Sequence, residues 1–190
     1  MGRPRLFDQD AVLRAAMELF WSNGYEGTAT DDLEAATGLR RGSLYNAFGD
    51  KRRLYLAALD HYTQVEMGEA VDTVSRGDNV RDGVAMMFGR AVDQASLAAG
   101  ARGCMVCDAA IDLAPEDPEV ATRVRRALDR LRRAIAGRLA AERTSDLPDR
   151  SADHLVATYM GLKVMAKAGY DGAVLRDVAD QAVSQISGAV

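Results

Sequence analysis

The stretch Thr30–Arg53, TDDLEAATGLRRGSLYNAFGDKRR, constrains the fold of this chain more than any other. It reads as a short helix, a tight turn, a second short helix and the start of a third. Thr30 or Asp31 caps the first of these, and Asp31, Asp32 and Glu34 fall in its first turn, where the helix dipole favours acids. Gly38 supplies the break. The next helix runs from about Gly42 to Phe48, with Leu44 and Phe48 one turn apart and facing inward. Gly49-Asp50 stops it, and Asp50 caps the helix that follows. Leu33, Leu39, Leu44 and Phe48 then form a small core that holds the two short helices at a fixed angle. Arg40, Arg41, Ser43, Tyr45 and Asn46 are left pointing outward, Tyr45 among them because Leu44 and Phe48 already fill the inward positions. Arginine pairs bidentately with guanine, asparagine with adenine, and serine with either. Gly42, near a helix N-terminus, lets backbone N–H groups approach a phosphate. This is the pattern of a helix-turn-helix, in which one helix braces and the next enters the DNA major groove. Double-stranded operator DNA is the expected partner.

Charge is distributed to suit a protein that touches phosphates on one surface only. The net charge is −4, yet residues 1–53 hold eight basic and eight acidic groups, and 38–53 carry five basic residues against the single acid Asp50. A local basic edge on an acidic body is an electrostatic footprint for nucleic acid. Two cysteines are too few for a secreted disulfide scaffold, no apolar run approaches the ~20 residues needed to span a bilayer, and MGRPRLFDQD lacks the apolar core of a signal peptide. A cytoplasmic protein without a membrane partner is expected.

Helical periodicity runs through the rest. Val12, Ala15, Ala16, Leu19 and Phe20 mark one apolar face, begun by Asp8 or Asp10 and ended by Asn23-Gly24. A fourth helix runs from Lys51 to about Ser75. Five more are expected at about 79–98, 102–113, 118–142, 152–168 and 172–187, with 144–151 a polar loop. The four prolines, Pro4, Pro115, Pro118 and Pro148, all fall at expected helix ends. No strand-length alternation or internal repeat occurs. The expected fold is all-α, with a three-helix DNA-binding head (1–50) and a body of roughly six helices (51–190).

The segments FWSNGYEGTAT and DDLEAATGLRRGSLYNAFGDKRRLY together resemble the TetR family of bacterial transcriptional regulators. GLRRGSLYNAFGDK is similar to that family's turn, recognition helix and helix-four start. The resemblance implies phosphate contacts from Thr30 and Lys51, and groove- or backbone-facing roles for Arg40, Arg41, Gly42, Ser43, Tyr45 and Asn46. The arm residues Arg3 and Arg5 are then expected to reach the flanking minor groove, as basic arms do elsewhere. Glu34 departs from the pattern: many members have a small alanine there, so Glu34 is expected to turn outward or hold the two helices slightly apart.

The resemblance also implies a homodimer and a small-molecule effector. Leu155, Tyr159, Gly161, Leu162 and Met165, with Leu175, Val178, Ala182 and Ile186, are the expected dimer residues. The apolar positions of the eighth helix wrap nearly all round, which requires burial on more than one side. Tyr62, Met67, Met86, Met87, Phe88, Cys104, Met105, Cys107 and Ile111 are the candidate lining of an effector pocket, since methionine suits an adaptable apolar wall. The expected function is a ligand-responsive homodimeric repressor that releases its operator on effector binding. An alternative is a thiol-based redox or electrophile sensor using Cys104 and Cys107, a C-x-x-C at a helix start. No metal-ligand spacing accompanies the cysteines. No nucleophile motif, phosphate loop or carboxylate cluster accompanies His61 and His154. Neither a metal, a cofactor nor catalysis is expected.

Overall fold

The computed structural model describes residues 7–95 and 102–186. Among them the elements are α1 (Gln9–Asn23), α2 (Thr30–Thr37), α3 (Arg41–Phe48), α4 (Lys51–Tyr62), a π-helical turn (Thr63–Met67), α5 (Gly68–Arg76), α6 (Val80–Ala95), α7 (Met105–Asp112), α8 (Pro118–Ala141), α9 (Pro148–Lys167) and α10 (Gly172–Ser184). The described residues contain no strand. Arg3 and Arg5 lie outside them.

The chain divides into two compact units, Met1–Gln64 and Val65–Val190. The first extends past the expected boundary at residue 50, because α4 completes its core. Val12, Ala16, Met17 and Phe20 of α1 are buried, as are Leu54, Tyr55, Ala58, Leu59 and Tyr62 of α4. Aromatic rings lock this core. Tyr55 meets Phe20 and Tyr25 edge-on, each at 5.1 Å between centroids, and Trp21 meets Tyr62 at 5.0 Å. Edge-to-face pairs add about 0.5–1.5 kcal/mol each beyond area burial. Asp8 caps α1 by accepting from the Asp10 and Ala11 N–H groups, and Asp50 caps α4 through Arg53 N–H at 2.7 Å.

The second unit is built around α8, whose Val120, Val124, Ala127, Leu131, Ile135 and Leu139 form one buried stripe. The helix expected from Lys51 to Ser75 is continuous in backbone but changes hydrogen-bonding pattern at the π turn. α5 and α6 approach closely: a Cβ on Gly83 would collide with the Val74 carbonyl. Arg138 of α8 holds this corner. Its Nη1 donates to the carbonyls of Val74 (2.8 Å), Ser75 (3.3 Å) and Gly77 (2.9 Å), while Nη2 and Nε bind Glu142 Oε1 at 2.7 and 2.9 Å. The other oxygen of Glu142 accepts the Val80 N–H at 2.7 Å. One ion pair thus serves the carbonyl end of α5 and the amide end of α6, satisfying groups that helix termini leave orphaned. α9 starts at Pro148, four residues before the expected Ala152. Proline at the first helical position loses no hydrogen bond and is preset in φ.

Candidate nucleic-acid interface

The α2–α3 unit is assembled by local caps and two long reaches. Ala29, not Thr30 or Asp31, occupies the N-cap of α2. It has no side-chain oxygen, and only the return bond is made, from Ala29 N–H to Asp32 Oδ2 at 2.9 Å. Gly38 ends α2 in the left-handed region (φ 69°), with its N–H on the Glu34 carbonyl. Arg40 is the N-cap of α3 and makes no side-chain capping bond. That task falls to Glu34, whose Oε1 accepts the Arg41 N–H at 2.5 Å. Glu34 therefore does not simply turn away from α3. It joins the end of α2 to the start of α3, and a carboxylate is favoured at a helix N-terminus. Because Glu34 does the capping, the Arg40 and Arg41 side chains stay free of that role.

Leu33 and Leu44 are fully buried between the helices, while Leu39 and Phe48 are half-buried at the rim. Thr30 is the first residue of α2, so its hydroxyl is not spent on a cap. It bonds the Tyr45 hydroxyl at 2.9 Å. Tyr45 is half-buried rather than exposed, because that bond draws its tip toward α2. The Arg41 guanidinium lies 5.7 Å from the Tyr45 ring centroid, which gives this long side chain a preferred position. Lys51 Nζ sits 4.4 Å above the Tyr25 ring. Burial, then the charges of Glu26 and Asp50, push the Tyr25 phenol up, so it remains neutral.

Arg40, Arg41, Gly42, Ser43 and Asn46 are all exposed, on one turn and the first two turns of one helix. Neither arginine is in an ion pair among the described residues. A Cβ on Gly42 would meet nothing within 4 Å. No packing inside the chain demands this glycine; the space it leaves is on the outer side. The assembly presents two unpaired guanidiniums, a hydroxyl and a carboxamide on a braced helix. These are the groups that contact phosphates and base edges.

The body departs further from expectation. Leu155, Tyr159, Leu162, Leu175, Ala182 and Ile186 are buried within the second unit, so its own core consumes side chains expected at a partner surface. Gly161 is exposed, and Met165 and Val178 are half-buried. The exposed large apolar side chains of α9 and α10, among the described residues, are Val164 (45%) and Val174 (41%). Of the expected pocket residues, Met67, Met87, Phe88, Cys104 and Met105 are buried in the second unit, and Tyr62 belongs to the core of the first. Met86 (51%) and Ile111 (67%) face outward, so neither lines an interior wall. Cys107 and Ile111 instead border a wholly apolar cleft of about 220 Å³ with Val106, Ala110, Leu128, Met160, Gly161 and Val164. A second cavity, about 370 Å³, lies between the α8–α9 loop and the end of α10, beside His154 and Arg150. Sequence reasoning passed over Lys163, a half-buried lysine whose Nζ donates to Gln94 Oε1 at 3.1 Å. A cation among the apolar positions of α9 was the signal that could have found it.

The architecture and the α2–α3 geometry define a helix-turn-helix protein. Residues 12–58 match the family described as bacterial regulatory proteins, tetR family. The uncharacterized HTH-type transcriptional regulator YezE of Bacillus subtilis is 30% identical over 191 residues, covering 97% of this chain and 98% of that protein. The HTH-type transcriptional repressor ComR of Escherichia coli is 51% identical over 61 residues, 32% of this chain and 29% of its own length. Among solved structures, a cysteine-substituted form of the TetR-family regulator CifR complexed with 26-bp operator DNA superposes with a TM-score of 0.83 at 30% identity, covering 96% of this chain and 98% of that one. The reduced form of E. coli NemR shares the fold, with a TM-score of 0.84 at 18% identity, covering 95% and 97%. The chain belongs to the TetR family of bacterial transcriptional regulators and is a DNA-binding regulator. No helix among the described residues is long and apolar enough to cross a membrane.

Proposed function

We propose that this protein is a homodimeric repressor that reads operator DNA with α3 and releases it when a small molecule binds the 65–190 unit. The observation that carries the reading is the exposed face of Arg40, Arg41, Gly42, Ser43 and Asn46, its arginines in no ion pair among the described residues, on a helix fixed by Glu34, Leu44 and the Thr30–Tyr45 bond. Arg41, Ser43 and Asn46 are the base-reading candidates. Thr30, Arg40, Gly42 and Lys51 are the phosphate-side candidates, and Arg3 and Arg5 the arm. CifR's complex with operator DNA and ComR's designation as a repressor support the assignment. A single helix-turn-helix reads one half-site, and dimers read two about one helical turn, ~34–36 Å, or a multiple apart. The exposed α9–α10 positions Gly161, Val164 and Val174 are the proposed partner surface, with Met165 and Val178 at its edge. In vitro selection of bound DNA, followed by fluorescence anisotropy on the selected site, tests the head. Failure to enrich any sequence, or enrichment of a site without two related halves, would overturn the reading.

The thiol alternative rests on Cys104 and Cys107. Cys104 is buried and Cys107 half-buried, with its Sγ 3.5 Å from Met160 Sδ. A hydrogen bond with the Cys104 thiol, and then burial, push the Cys107 thiol far up, so Cys107 stays protonated and poorly nucleophilic. The geometry favours reversible ligand binding over thiolate chemistry. An oxidant that releases DNA from the wild type but not from a Cys104→Ser, Cys107→Ser double variant would reverse that preference.

A further inference from the structure

Lys163 and Tyr159 stand one turn apart on the same face of α9. Tyr159 is 6% exposed, and the edge of an aromatic contact with Phe88 fixes its ring (centroids 5.6 Å apart, planes at 89°). Among the described residues its hydroxyl has no hydrogen-bond partner. Lys163 Nζ lies 5.6 Å from the Tyr159 ring centroid and donates once, to Gln94. An ammonium has three donors, so two remain.

The neighbouring cations are accounted for differently. Arg90 pairs with Glu69 at 2.9 Å, and Lys167 with Asp108 at 2.6 Å. Lys163 has no carboxylate within ion-pair distance among the described residues. Glu66, in the π-helical turn, is near enough for the lysine to feel its charge but makes no bond to it. Burial pushes the Lys163 ammonium down, partly opposed by Cys104, Glu66 and Cys107. Burial likewise holds the Tyr159 phenol up, so it keeps its proton to donate.

The Lys163 ammonium thus keeps two unused donors beside a phenol with no described partner, and the buried Phe88 packs against that phenol's ring. We infer that Lys163 Nζ and the Tyr159 hydroxyl are the polar end of the effector site, and that the effector is a small carboxylate with an apolar body. The inference rests on the proposal that the 65–190 unit binds an effector. One point charge and one hydroxyl suit a monoanion; a phosphate would call for a guanidinium fork or several more donors. The ligand's charge enters beside Glu66, so its first electrostatic effect falls on the π turn between α4 and α5.

Calorimetry on the full chain tests this with straight-chain carboxylates from butyrate to dodecanoate and with benzoate, each against its neutral amide. At least one carboxylate is expected to bind saturably and about tenfold or more tighter than its amide. Lys163→Met should abolish that preference, Tyr159→Phe should weaken binding several-fold, and Glu66→Gln should tighten it by removing a competing charge. Amides binding as tightly as carboxylates, no carboxylate binding at all, or unaltered affinity in Lys163→Met or Glu66→Gln would each overturn the inference. The carboxylate–amide comparison uses unmodified protein and does not depend on any variant folding. Operator binding without small molecule is measured separately. Its absence would sink the repressor reading, whereas intact operator binding with no carboxylate response sinks only this site.

Discussion

Arg41 and Arg138 show how differently the two units use the same side chain. Arg138 makes five hydrogen bonds, three to backbone carbonyls and two to Glu142, and its side chain is only 23% exposed. Its donors are spent on the ends of two helices. Arg41 is exposed, is steadied by the Tyr45 ring, and has no carboxylate partner among the described residues. The guanidinium that is satisfied inside the protein is architectural. The one left unsatisfied on a rigid helix is available to something outside.

The sharpest way to break this contrast is to remove each arginine and read two properties. Arg41→Ala should weaken operator binding by about 10–100-fold per half-site, as expected for loss of a ~1–3 kcal/mol base contact, with no change in melting temperature. Anisotropy and thermal unfolding on the same preparation check it; equal DNA affinity would show that Arg41 reads nothing. Arg138→Ala should do the reverse to stability. Several helix-end carbonyls and the Glu142 carboxylate lose their partner, for a cost of about 2–3 kcal/mol after allowing for partial solvent screening. A chemical-denaturation midpoint unchanged from wild type would show that the clamp is decorative.

Glu34→Ala tests whether a carboxylate from α2 positions the reader. Loss of a helix N-cap costs about 1 kcal/mol. The head should be destabilised by that amount, with a smaller, several-fold loss in operator affinity that Glu34→Gln partly restores. Affinity unaffected by either change would make Glu34 a bystander. The smallest effect belongs to Lys51→Met. If Lys51 meets a phosphate, the slope of log affinity against log salt should fall by about one per protomer while sequence preference is unchanged. A constant slope would leave its ammonium engaged only with Tyr25.

The head was largely legible in the chain because its signals are local. Gly38, Gly49, Asp50 and the Leu33–Leu44 pair act over a few residues, so helix spans followed from them closely. Glu34 was the misfit, because its partner depends on how α2 and α3 turn against each other, not on spacing. The body was less legible. An α9 that is apolar nearly all round says that several faces are buried, but not which face the protomer keeps for itself. Leu155, Tyr159 and Leu162 went inward, leaving Gly161 and Val164 outside. Met86 and Ile111 are apolar yet exposed, and no pattern distinguishes them from their buried neighbours.

By itself, the sequence determined that the described residues are helical without strands, where most of their helices begin and end to within a few residues, and that Arg40, Arg41, Ser43 and Asn46 face away from a small core. Periodicity, caps and glycine breaks are short-range physics, written over one or two turns. Tertiary structure alone decided that Arg138 joins the ends of α5 and α6 across more than sixty residues, that Lys163 meets Gln94 rather than a carboxylate, and that Cys107 packs on Met160. Those pairings depend on which helix faces which, a choice made by close packing of many side chains at once.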